Sequence, residues 1–177
     1  MKPGTLFHIS EEGNIQRFIP KPSPSHYDQI TRDVVFAITG ELLHNYLLPR
    51  DCPRVTFYAG KNTSSADKER FLSSSDANYI IAVEQKWLPA IQHIKLYCYE
   101  FPAETFSLLD ECAGYYVSYQ QVIPTTVKLI DNTLDELFKR NIELRLLPNL
   151  HHLANEVAKS TLNFSIIRLR NAAPKLQ

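Results

Sequence analysis

Glycine is scarce, at five residues in 177. Neither Gly-x-Gly-x-x-Gly nor a Walker loop occurs, so the usual backbone cradles for nucleotide phosphates are missing. Cysteine is scarcer still. Cys52, Cys98 and Cys112 make an odd number and no Cys-x-x-Cys, which argues against a disulfide framework or a structural zinc and leaves reduced thiols as the expectation. No apolar run approaches the ~20 residues that span a bilayer. The opening Met1–His8 lacks the long apolar core of a secretory signal, so a cytoplasmic location is expected. Charge of one sign is not in excess. Lys+Arg and Asp+Glu number 19 each, so no global field draws nucleic acid or an anionic membrane. Metal ligands are too scattered to make a site: His44 stands alone, and the adjacent His151 and His152 would point about 100° apart on a helix.

What is present fits an ordinary globule, 44% apolar and 21% charged, and the length suits one domain over 1–177. The chain is organised around 95–131, read as strand, turn, strand, kink, strand. Within Lys95–Phe101, Leu96, Cys98 and Glu100 face one way and Tyr97, Tyr99 and Phe101 the other. Pro102, Gly114 and Pro124 punctuate the stretch.

Thr5–Ser10 reads as a short strand, with Leu6, His8 and Ser10 on one face. Ile15–Phe18 suits a single helical turn, and Pro20, Pro22, Ser23, Pro24 and Ser25 an extended arm. A buried strand is expected over Asp33–Ile38. A helix over Glu41–Leu48 follows, capped by Thr39 and stopped by Pro49. Strands are expected over Val55–Ala59, Tyr79–Val83, Ile142–Leu147 and Phe164–Arg170. Helices are expected over Ala66–Leu72, Glu84–Ile91 and 150–160, and from a Thr133/Glu136 capping box to Arg140. Mixed short elements without regular βαβ alternation indicate an α+β domain.

Three groups of residues can carry chemistry. His8, sharing a strand face with Ser10, can hydrogen-bond a ligand hydroxyl, or it is a satisfied half-buried histidine. Arg50, Asp51, Cys52 and Arg54 crowd one loop. Their guanidinium groups can grip a phosphate and lower the Cys52 thiol pKa. The plainer reading, an Arg–Asp pair fixing the loop around a buried thiol, is favoured because no histidine stands nearby as a base. Tyr115, Tyr116, Ser118, Tyr119, Gln120 and Gln121 form a polar-aromatic strip that can stack and orient a planar ligand, or is an exposed sheet face. Acidic neighbours Asp110 and Glu111 discount Cys112 as a nucleophile.

Leu6–Glu12, Pro20–Ser25, Asn45–Tyr58, Phe101–Glu104, Ala113–Ser118 and Ser165–Asn171 carry a resemblance over nearly the whole chain. By these segments the chain resembles an uncharacterised family of small bacterial proteins, a domain of unknown function. A fainter likeness concerns mechanism. Leu6-Phe-His-Ile-Ser10 looks like the first-strand His-x-Ser/Thr motif of ADP-ribosyltransferase-like folds, and Phe36-Ala37 with Tyr46 looks like their nicotinamide-stacking motif. That resemblance implies a split, mostly antiparallel sheet with flanking short helices. It implies a cleft for NAD or ADP-ribose in which Ser10, Tyr46, Arg50 and Arg54 bind, and His8, Ser118 and Gln121 occupy the catalytic positions. Those folds carry a glutamate where this chain has Ser118, Gln120 or Gln121, and a glutamine brings no charge to an oxocarbenium-like transition state. The expectation is a protein that binds or processes a nucleotide-like ligand, a degenerate transferase, with a non-catalytic binding or protein-interaction module as the alternative.

Overall fold

The structure is a computed structural model that describes residues 4–23 and 27–175. Met1–Pro3 of the opening segment, and Pro24 and Ser25 of the expected arm, lie outside the described residues. In chain order the elements are β1 (Thr5–Ser10), β2 (Val35–Ile38), β3 (Arg54–Tyr58), α1 (Ser65–Leu72), β4 (Tyr79–Glu84), α2 (Leu88–His93) and β5 (Leu96–Pro102). There follow β6 (Ser107–Asp110), β7 (Tyr115–Ser118), β8 (Thr126–Ile130), α3 (Thr133–Lys139), β9 (Ile142–Leu147), α4 (His151–Lys159) and β10 (Asn163–Ile167). The fold is α+β with mostly antiparallel sheets and short helices. The chain divides into two compact units, residues 1–43 with 95–131, and residues 44–94 with 132–177. No helix among the described residues is long and apolar enough to cross a membrane.

The first unit holds a six-stranded sheet in the order β6-β7-β2-β1-β5-β8, every pairing antiparallel. Alternation puts Leu6 and His8 of β1 on the same face as their β5 partners Phe101 and Tyr99. That face is the core: Leu6, Val35, Ala37, Tyr99, Phe101 and Tyr116 pack with Phe106 and Val122. A fully buried aromatic ring contributes roughly 1.5–3 kcal/mol, so Tyr99, Phe101 and Phe106 are a large part of its stability. A strap over residues 12–22 covers the face. The Tyr99 hydroxyl donates to Glu12 O at 2.7 Å and accepts from Ile15 N at 3.1 Å. Phe18 and Val122 exchange two backbone hydrogen bonds of 2.8 and 2.9 Å. Gly114, at φ +66°, turns the chain from β6 into β7, and a Cβ there would lie 2.7 Å from Thr39 Oγ1.

The second unit holds a four-stranded sheet in the order β10-β3-β4-β9. β4 and β9 run parallel, in register from Tyr79↔Ile142 to Glu84↔Leu147. On one face Val55, Phe57, Ile80 and Ala82 pack against Phe71 of α1 and against Leu150, Ala154 and Val157 around α4. The α4 spacing is the apolar stripe that the sequence predicts. Elsewhere in the unit α2 packs on α3, and α3 on β9.

Several expected elements take other forms. Ile15–Phe18 is extended rather than helical, because its backbone is tied to Tyr99 and Val122. The expected helix over Glu41–Leu48 shrinks to a 3-10 turn at Leu43–Tyr46. A segment this short nucleates an α-helix poorly, and the Asn45 carbonyl, whose helical partner Pro49 has no N–H, accepts from Arg54. The α3 cap is Asn132, whose side chain accepts from Asp135 N, so the cap precedes Thr133. The last strand ends at Ile167 because Arg168 adopts a left-handed conformation, φ 55°. β6, a short exposed strand, is an addition the sequence reading lacks.

Candidate functional site

β1 presents His8 from the aromatic face of its sheet. The Nδ1–H donates to Phe36 O at 3.0 Å, which sets the tautomer, since a carbonyl only accepts. The ring centroid lies 4.9 Å from that of Phe18 and 6.0 Å from that of Phe101, so the half-buried imidazole packs among aromatic rings. Ser10 Oγ accepts from Glu12 N at 3.0 Å and so helps start the strap. Ser118 is fully buried on the same sheet face. Its hydroxyl donates toward Thr105 Oγ1 at 3.1 Å and Gln120 O at 3.3 Å and accepts from Gln120 N at 3.2 Å. Gln121, three residues further on, is exposed. One sheet face thus gathers His8, Ser10 and Ser118, while Tyr46, Arg50 and Arg54 belong to the second unit.

Arg54 is 2% exposed, and its guanidinium is spent on main chain. Nε donates to Asn45 O at 2.9 Å, and Nη1 donates to Pro49 O at 3.2 Å and Cys52 O at 2.9 Å. It also stands 5.7 Å above the half-buried Tyr46 ring. This arginine folds the 45–52 loop around itself. Arg50 is exposed, and Asp51 faces Arg168 at 3.9 Å. Burial pushes the Cys52 thiol up to about 12, and the Arg54 charge lowers it by less. The buried, unactivated thiol of the plainer reading is what the loop holds: desolvation outweighs the guanidinium.

The second unit also carries a groove of about 690 Å³. It opens beyond the carboxyl end of β9, where Pro148-Asn149 breaks the strand before α4. Its apolar floor includes Phe71, Leu147 and Leu153. Arg70, Arg145 and Lys175 bring three permanent cations to the lining, with His151 and His152, against the single carboxylate Glu156. Alternation along β9 places Arg145 on the α4 face, its guanidinium 5.7 Å from the Phe57 ring. Arg70 pairs with Glu156, which stays below the usual carboxylate range through Arg70's hydrogen bond and charge against a smaller burial effect. Arg145 Nε donates to Glu143 at 2.8 Å. Burial raises the Glu143 carboxyl, but hydrogen bonds from Ser75 and Arg145 and the Arg145 charge outweigh it and hold it low.

The main chain that leads to Lys175 of the lining is held by Asn149 and His151, two other lining residues. Asn149 Nδ2 donates to Ala173 O at 3.2 Å and Pro174 O at 2.9 Å, and His151 Nε2 lies 3.1 Å from Ala173 O. Sequence reading missed this site because Arg70, Arg145 and Lys175 are far apart in the chain. The only local signal was a pair of histidines beginning a helix, where acids are more usual.

A family model described as a family of unknown function (DUF6886) matches residues 7–172. The chain belongs to that family. No curated protein and no solved structure matches the chain, so the likeness to ADP-ribosyltransferases gains no support beyond an α+β fold with mostly antiparallel sheets. Membership brings no activity with it.

Proposed function

We propose that the protein binds a phosphorylated small molecule of nucleotide size in the groove of the second unit. The observation that carries this reading is the lining: three permanent cations and one carboxylate over an apolar floor, in about 690 Å³. That volume falls within the usual range for small-molecule sites, roughly 300–1,000 Å³. Phosphate needs cations or N–H donors, which the groove lining supplies, whereas the rings of Phe18 and Phe101 pack close to His8. The reading therefore moves the nucleotide of the sequence expectation from the imidazole to the groove. Each guanidinium has five N–H donors, so Arg70 and Arg145 keep donors beyond those given to Glu156 and Glu143. Those carboxylates compete for the cations, which favours a multiply charged phosphate over a monoanion. The apolar floor suits a base or another flat body.

Calorimetric titration of the full chain with ADP and ADP-ribose tests this. Binding that Arg145→Ala or Lys175→Ala weakens about tenfold, as loss of one charge-assisted hydrogen bond does, supports it. His8→Ala should leave that binding unchanged. No heat with either ligand overturns the reading, and a loss confined to His8→Ala returns the ligand to β1.

A second reading, an interaction module, is favoured by the edge strand β8, where Val127 and Leu129 are 46% and 53% exposed. An unpaired edge carrying apolar side chains can take a partner's strand. Sedimentation that shows the same monomer for the native chain and for Leu129→Lys would remove self-association from this reading.

A further inference from the structure

Glu84 ends β4, directly across from Leu147 at the end of the parallel strand β9. Its side chain is 1% exposed, does not line the groove, and is not required by the proposed ligand contacts. A carboxylate taken out of water costs several kcal/mol unless something inside the fold repays it. Oε1 accepts the Ala173 N–H at 2.8 Å. Lys86 Nζ stands 2.9 Å from Oε2, in an ion pair whose angles do not make a hydrogen bond. From the other side Ala173 O and Pro174 O are held by Asn149, with His151 also on Ala173 O. The peptide groups on both sides of Ala173 are thus gripped, one by the end of β4 and one by the start of α4. The residue that emerges from this clamp is Lys175, which lines the groove.

We infer that Glu84 is a positioning residue for the anion site: its buried carboxylate seats the 172–175 segment so that Lys175 meets the phosphate of the bound ligand. This rests on the groove reading above. The ammonium sits on a flexible stem, and fixing its backbone removes part of the ordering cost that binding would otherwise meet. The clamp is also local to the site, since β4 and β9 end together where the groove opens. Glu84 acts through the segment and touches no ligand.

The test is a double-mutant cycle read by ADP titration. In the native background Lys175→Ala should weaken ADP about tenfold. In a Glu84→Met background, which keeps the volume and removes the acceptor, the same change should cost less than about twofold, because the lysine is no longer presented. Arg145→Ala should keep its full effect in both backgrounds. Glu84→Gln retains an oxygen for the Ala173 N–H and should restore the native Lys175 effect. If Glu84→Met does not fold, Asn149→Ala removes the carbonyl side of the clamp and should uncouple Lys175 in the same way. A Lys175→Ala effect that stays tenfold in the Glu84→Met or Asn149→Ala background overturns the positioning role alone. Absence of ADP binding by the native chain overturns the groove reading and this role with it.

Discussion

Replacing Arg54 with alanine should cost this protein much of its stability. The guanidinium supplies hydrogen bonds of 2.9, 3.2 and 2.9 Å to the carbonyls of Asn45, Pro49 and Cys52, all three on buried residues. A buried acceptor left without its donor costs about 1–3 kcal/mol. Three of them, partly relieved by relaxation of the loop, come to about 3–6 kcal/mol, and the lost contact with the Tyr46 ring adds to this. A domain of ordinary stability has only about 5–15 kcal/mol to lose. Arg54→Lys should fall between, because one ammonium cannot reach three diverging carbonyls as a planar fork does. Urea unfolding followed by far-UV circular dichroism measures both variants against the native chain. A loss below about 1 kcal/mol for Arg54→Ala would refute the structural account. So would an Arg54→Lys variant of native stability with weakened ADP binding, which would return Arg54 to the ligand-binding role expected from sequence.

Other consequences follow from the same geometry. Cys52 should react with iodoacetamide at neutral pH far more slowly than a free thiol, and more slowly than exposed Cys112; equal rates would contradict its burial. Because the folded thiol titrates near 12 rather than near 9, the folded state holds its proton longer than the unfolded chain does. Stability is therefore untouched below about pH 9 and falls from there toward pH 12, by roughly 1 kcal/mol at pH 10, and Cys52→Ala should flatten that slope in urea titrations. Gly114→Ala should cost about 1–3 kcal/mol by thermal unfolding, since φ +66° and the Thr39 contact both oppose a Cβ; a neutral change would refute the turn's role. Tyr99→Phe removes the pin between Glu12 and Ile15, at about 1–3 kcal/mol, and should speed hydrogen exchange at the Ile15 amide.

Much of the fold was legible where side-chain period alone decides. The alternation of Leu96–Phe101 and of Ile142–Leu147 survives intact, as does the Leu150, Val157 stripe of α4. Long-range partners decided the rest. The apolar pattern of Leu42, Leu43 and Leu47 suits a helix, but Pro49 offers no N–H to the Asn45 carbonyl, which Arg54, a residue outside the segment, takes instead. Asn132 displaced Thr133 as a cap by one position, a difference that composition does not resolve. At the site, the strand pattern correctly put His8 on a face with Ser10, yet that face is the aromatic core under the strap, and a sequence does not distinguish an inward histidine from a ligand. Arg70, Arg145 and Lys175 are far apart in the chain; α1 brings the first through Phe71, β9 the second, and the stretch held at Ala173 leads into the third.

The central claim is that an anionic ligand sits between α4, β9 and the 172–175 segment. Two-dimensional NMR of the isotope-labelled chain during an ADP titration reports on it directly. The account predicts saturable amide shifts concentrated at 145–156, at Arg70–Phe71 and around Lys175, with the amides of 7–9 unmoved. Shifts centred on His8 and the 118–121 strip, or none at millimolar ADP, would contradict it.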